Sequence, residues 1–78
     1  MNNYRRCSPR AVGAALVRMR HACGLTQSQL ADRVTETSTM VWEAGTVSRL
    51  ERGLNGQSLR LLAAYCDALG TNISEVFT

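Results

Sequence analysis

The chain has 78 residues, enough for one domain and too few for a second with an interior of its own. An apolar fraction of 45% suits a globular helical protein and excludes a disordered tail. All nine cations behind the net charge of +3 are Arg, whose fixed fork of donors matches phosphate and guanine edges. A genome-wide bias toward Arg codons gives the same composition, so the charge supports a nucleic-acid partner without establishing one. A single core of this size supplies only about 3–5 kcal/mol, which makes dimerisation a natural further source of stability.

Residues 1–7 are polar and basic with no apolar period, and they read as a flexible arm ahead of one domain over 8–78. Ser8 followed by Pro9 is a strong helix start. Val12, Leu16, Met19 and Cys23 then recur at core-facing spacing along Pro9–Ala22, and Gly24 closes the run. Thr26 and Gln29 form a Thr-x-x-Gln capping box for a second helix that buries Leu30, Ala31 and Val34. The β-branched, polar run 35–40 is expected as a loop. A third helix contains 46–52, with Val47 and Leu50 inward, Gly53 at its end, and either Glu43 or Thr46 as its cap.

Ser58 caps a fourth helix over 59–69, with Leu59, Leu62, Tyr65, Cys66 and Leu69 inward. Asn72 and Glu75 suggest another capping box, opening a short fifth helix, Ile73–Phe77. No segment carries a strand signal, so the fold class is all-α.

Cys7, Cys23 and Cys66 are an odd set without CxxC spacing. No apolar stretch reaches the length of a signal peptide or membrane helix, and together these features point to a reducing cytoplasm and no membrane partner. His21 and Cys23 do not complete a four-ligand zinc site, so neither metal nor other cofactor is expected. Carboxylate pairs, Cys–His dyads and Gly-rich phosphate loops are lacking at useful spacing, and no catalysis is expected.

One ordered set of residues resembles a known family. Leu16, Met19 and Arg20 precede Gly24-Leu25-Thr26-Gln27 and Leu30-Ala31; Thr46-Val47-Ser48-Arg49-Leu50-Glu51-Arg52-Gly53 follows. Ser58-Leu59 with Leu62, then Leu69-Gly70-Thr71-Asn72-Ile73 with Glu75-Val76-Phe77, complete the pattern over about residues 14–77. The whole is similar to the Cro/CI-repressor (XRE) family of helix-turn-helix regulators. The resemblance implies a five-helix, lambda-repressor-like DNA-binding domain with its helix-turn-helix at about 26–53. A bacterial or phage-encoded cytoplasmic regulator is implied, probing double-stranded DNA as a homodimer on a palindromic operator, as a repressor, autoregulatory in the manner of small phage and controller proteins.

The resemblance also implies roles. Thr26 and Gln27 would hold a phosphate at the amino end of the second helix. Arg20 and Glu51 would form a largely buried ion pair that fixes the recognition helix. Base contacts would come from Ala44, Gly45, Thr46, Ser48 and Arg49, with Arg49 the candidate for a bidentate guanine contact. Phosphates would be met by Arg52, Asn55, Gln57 and Ser58, and the arm's Arg5 and Arg6 would either reach DNA or solubilise the chain. The dimer interface would use Tyr65, Ile73, Val76 and Phe77, with Phe77 alternatively closing the core.

The sequence departs from the family between the second and third helices, where about eight residues replace an ordinary turn of about 3–4. Trp42, just before the third helix, is expected to pack beneath this enlarged turn as a hydrophobic staple. The enlarged turn and the apolar Ala44-Gly45 pair leave open an alternative: an antirepressor or antitoxin that kept the fold and binds a protein partner instead of bases.

Overall fold

Ser8 has extended backbone, and its hydroxyl accepts the Ala11 N–H at 3.1 Å; Pro9 fills the first helical position, where an amide hydrogen has no partner to lose. Helix α1 (Pro9–Ala22) grows from this start and buries Val12, Ala15 and Leu16. The computed structural model describes residues 8–54 and 57–77. The proposed arm over 1–7, with Cys7, lies outside the described residues. Met19 is half-buried against the core, but Cys23 is exposed. It sits one residue past the helix end, where the chain turns away through Gly24.

Helix α2 (Gln27–Thr37) opens on the full capping box: the Thr26 hydroxyl accepts Gln29 N–H at 3.1 Å, and Gln29 Oε1 accepts Thr26 N–H at 2.9 Å. Leu30, Ala31 and Val34 are buried as expected. The helix then runs through 35–37, part of the segment expected as a loop. Hydroxyl groups explain the extension: Thr37 Oγ1 donates to Arg33 O at 2.8 Å and Ser38 Oγ to Val34 O at 2.8 Å, while Thr35 Oγ1 lies 3.0 Å from Ala31 O. Polar β-branched residues weaken a helix interior, but here their hydroxyls bond back to carbonyls four residues earlier and support the last turn.

Residues 38–43 therefore connect α2 to α3, six residues rather than eight. Helix α3 (Ala44–Arg52) begins after Glu43, whose backbone is extended (φ −118, ψ 166), so the helix includes Gly45 and starts ahead of Thr46. Val47, Leu50 and Glu51 face inward. Trp42 and Val47, the two positions that a hydrophobic staple joins, are both buried in the core cluster.

Helix α4 (Leu59–Ala68) is capped by Ser58, whose hydroxyl accepts Leu61 N–H at 3.2 Å. Leu62, Tyr65 and Cys66 are buried, Leu69 is half-buried, and Leu59 is 58% exposed rather than inward. Leu59 occupies the first turn, ahead of the stripe that meets the core. The expected fifth helix is a 3₁₀ segment, Ile73–Phe77: the Asn72 side chain accepts the N–H of Ser74 at 3.1 Å, and Asn72 O accepts that of Glu75 at 3.0 Å. These short-range bonds close a tight turn instead of nucleating an α-helix.

The four α-helices and the 3₁₀ segment enclose one buried cluster, and no strand occurs among the described residues. Helix α3 packs on α1 and α2, α2 also packs on α4, and the 3₁₀ segment covers α1 and α4. No helix among the described residues is long and apolar enough to cross a membrane.

Two glycines set how closely α1 and α3 approach. A Cβ at Gly13 would lie 2.1 Å from the Glu51 carbonyl oxygen, and Gly53 (φ 71) ends α3 against the Pro9 backbone, where a Cβ would meet Pro9 C and O at 2.9 Å. Both obstacles are backbone and cannot swing aside. Gly13→Ala should therefore force α3 off α1 and cost about 3 kcal/mol, the upper end of overpacking penalties. The urea unfolding midpoint measures it, and an unchanged midpoint would refute this close approach.

Candidate nucleic-acid interface

The inward side of α3 carries a carboxylate as well as apolar side chains. Glu51 is 8% exposed and Arg20 7%, and the two are joined by bonds of 2.7 Å (Nε to Oε2) and 3.0 Å (Nη2 to Oε1). The two parallel N–H···O bonds make a planar, bidentate pair. On its other side Arg20 Nη1 donates to Leu25 O at 2.8 Å.

Two further side chains complete the carboxylate's surroundings. The Tyr65 hydroxyl donates to Glu51 Oε2 at 2.6 Å, with Leu16 O 3.0 Å away, and Gln27 Nε2 donates to Oε1 at 3.0 Å. No buried side-chain N or O among the described residues lacks a partner. Burial alone would push the Glu51 carboxyl upward, but the bonds from Arg20, Tyr65 and Gln27 and the Arg20 charge outweigh it and hold it below its ordinary range. The Arg20 guanidinium is raised further by its bond to Glu51, against the opposing pull of burial. Burial first, then the adjacent carboxylate, drives the Tyr65 phenol well above its usual range, so it stays a donor.

The outward side of α3 is polar and open. Gly45 and Arg49 are exposed, Ala44, Thr46 and Ser48 are half-buried, and Arg52 is exposed at the last turn with Nε 3.4 Å from Ser48 O. The Arg49 guanidinium reaches back over the first turn: a Cβ at Gly45 would stand 3.3 Å from its Nη1. Glycine costs helix stability here, about 1 kcal/mol relative to Ala, and the space it leaves is occupied by this arginine.

Beside α3, an open groove is lined by His21, Thr26, Gln27, Ser28 and Ala44. The capping box takes the amides of Thr26 and Gln29, which leaves those of Gln27 and Ser28 without an intrahelical partner at the positive end of α2. Gln27 keeps one amide hydrogen beyond the one held by Glu51.

Several site residues have other tasks than the sequence suggested. Gln57 spends both amide hydrogens inside the chain, on Pro9 O and Leu50 O at 2.9 Å each, and so has no donor left for a phosphate. It ties the end of α3 to the start of α1. Ser58 is exposed at the amino end of α4, its hydroxyl engaged as the cap, and Asn55 lies outside the described residues. Of the residues expected at a dimer interface, Tyr65 (0% exposed) and Val76 (5%) are buried in the core of this chain, and Ile73 and Phe77 are half-buried. The Cys66 thiol is pushed up to about 11 by burial and by Asp67, and stays protonated. Among the described residues no three His, Cys, Asp or Glu side chains gather as a metal site.

Residues 11–76 match the family model described as a helix-turn-helix domain. Two crystal structures of the clp gene regulator ClgR from Corynebacterium glutamicum are similar to this chain. One is 36% identical over 88% of this chain and 81% of its own length, with a TM-score of 0.76. The other is 37% identical over 87% of this chain and 66% of its own length, with a TM-score of 0.74. No curated protein matches.

The carboxylate cluster makes stability depend on pH with a fixed sign. A carboxyl whose folded value lies below its unfolded value of about 4.3 stabilises fully above that value, and the stabilisation is lost as pH falls through the folded value. Glu51→Gln leaves Arg20 buried without its counter-charge and should cost about 3–5 kcal/mol at neutral pH. The gap between wild type and variant should narrow below about pH 4. Tyr65→Phe, which removes one donor to a charged group, should cost about 1.5–3 kcal/mol. Urea titrations at pH 7 and pH 3 measure both, and a pH-independent gap would contradict an ionised Glu51.

Proposed function

The chain belongs to the helix-turn-helix domain family, and from that membership we propose that it is a sequence-specific DNA-binding regulator of transcription. The observation that carries this reading is the two-sided character of α3. Val47, Leu50 and Glu51 brace it from within, while Gly45 and Arg49 stand in solvent and Trp42 turns inward, away from that outer face. A helix held this way presents its polar side to a major groove without rolling. The related ClgR is titled a clp gene regulator, which agrees with a regulatory role.

In this reading Arg49 reads guanine, while Thr46 and Ser48 supply lesser contacts and Ala44 and Gly45 allow close approach. The free amides of Gln27 and Ser28, with Thr26 and the remaining Gln27 hydrogen, take one phosphate, and Arg52 with the amino end of α4 at Ser58 takes others. The protein acts as a homodimer on a palindromic operator with half-sites one helical turn apart, about 34–36 Å, and represses. Of the expected dimer face, Ile73 and Phe77 are half-buried and keep part of their surface in solvent.

Footprinting and anisotropy on the upstream region of the protein's own gene test this function. Wild type should protect a discrete site, with a log–log salt slope near about −5 for roughly three phosphates per subunit. Arg49→Ala should lose about 1–3 kcal/mol of discrimination while keeping salt-sensitive binding to random duplex. Equal binding of wild type to operator and random DNA would overturn it.

A further inference from the structure

The connection before α3 departs from an ordinary helix-turn-helix turn in length, and its conformation is specific. Met40 is half-buried, Val41 is 82% exposed, Trp42 is 6% exposed, and Glu43 is exposed with extended backbone. Burial alternates along this stretch: Met40 and Trp42 turn toward the core, and Val41 and Glu43 toward solvent. That outer face leads directly into the exposed side of α3.

Side-chain hydroxyls hold the segment. Trp42 N–H donates to Thr35 Oγ1 at 2.9 Å, and Trp42 O lies 3.3 Å from the same hydroxyl; Met40 N–H donates to Ser38 Oγ at 3.0 Å. Trp42 is thus pinned by its buried ring and by its backbone N–H.

The first turn of α3 creates a need for such a face. Ala44 and Gly45 offer no hydrogen-bonding side chain, and the guanidinium above Gly45 comes from Arg49, one turn further on. Besides Thr46, the side chains near the helix start that stand in solvent and can touch base edges are Arg49, Glu43 and Val41. Glu43 is the residue before the helix, yet its carboxylate makes no capping bond. Both its oxygens remain acceptors. Val41 is the most exposed large apolar side chain among the described residues.

Resting on the DNA-binding reading above, we propose that Val41 and Glu43 form a second base-reading edge, Val41 packing on a thymine methyl and Glu43 accepting from a cytosine amino group. These are the partners the major groove offers to an apolar and to an anionic side chain. A carboxylate beside DNA is repelled by every phosphate and relieved only by an exocyclic amino donor, and cytosine's, unlike adenine's, has no acceptor beside it on the same base. Glu43 thereby also weakens binding to random sequence.

The test begins with wild-type protein selecting sites from randomised duplex. Anisotropy titrations then use the selected site with each thymine replaced in turn by uracil, which removes only the methyl group. One uracil, outside the base pairs affected by Arg49→Ala, should weaken wild type about fourfold, the worth of one buried methyl, and should leave Val41→Ala unaffected. Glu43→Gln should lose a cytosine preference at one position and bind random duplex more tightly. Both side chains are exposed, and thermal melts should show folding unchanged. If wild type selects a site but either variant keeps the wild-type base profile, the second reading edge is refuted while the regulator function stands. If wild type selects no site, the function itself fails and the reading edge with it.

Discussion

The fold depends on the carboxylate of Glu51, which is buried and must be surrounded by donors. An ionised carboxyl in a protein interior is tolerated only when hydrogen bonds replace its water. Here each donor comes from a different element: Arg20 from α1, Gln27 from the start of α2, Tyr65 from α4, with Glu51 itself on α3. Four helices thus converge on one anion. Apolar packing of Val47 and Leu50 permits α3 small rolls and slides, because hydrophobic contact has no direction. The bidentate pair and the 2.6 Å tyrosine bond do not. The cluster contributes orientation more than net stability, since a buried pair scarcely recovers its desolvation cost.

That constraint explains the close backbone approach of α1 and α3. Arg20 reaches Glu51 in planar geometry only if the two helices lie nearly in contact, and Gly13 against Glu51 O supplies this contact about two turns earlier on α1. Gln57 fastens the far end, bonding Pro9 O and Leu50 O together. The carboxyl-terminal half of α3 is therefore held from behind. On the proposed function, Gln27 connects this brace to the outside: one amide hydrogen is held by the carboxylate, and the other faces the groove at the start of α2.

Much of this was legible in the sequence wherever the signal is periodic or local. The inward sets Leu30, Ala31, Val34 and Val47, Leu50 follow from helical spacing, and the caps at Ser8, Thr26 and Ser58 from residues within three positions of their partners. Periodicity fails at helix ends, where a stripe continues past the core; Cys23 and Leu59 fit the spacing and are exposed. It also cannot say what an amphipathic side chain meets. Tyr65 on an apolar face suits an interface or an interior, and its partner lies 14 residues away on another helix. Gln57 and Gln27 likewise spend their amides on distant carbonyl and carboxylate oxygens that no local pattern reveals. Glycine was legible as a helix stop at Gly53, but not as a contact at Gly13, which depends on where α3 lies.

The enlarged turn shows how a helix-turn-helix absorbs extra residues. Part of the addition becomes helix: α2 takes up 35–37 because Thr37 and Ser38 return their hydroxyls to its carbonyls. The rest is held at one point, Trp42, whose ring is buried and whose backbone is gripped by Thr35. Thr35 stands one residue after Val34, the last buried position of α2, and Trp42 one residue before the cap of α3. The latch therefore restores a short spatial link between two helices that the sequence has moved apart. The packing of α3 on α2 then needs no change, and the residues between the two anchors, chiefly those around Val41, are free to vary in what they offer the solvent. A run of threonines and serines that looks like a weak helix or a loose loop is the material such a latch requires, since a β-branched hydroxyl can serve a carbonyl of its own helix and an amide of the returning chain at once.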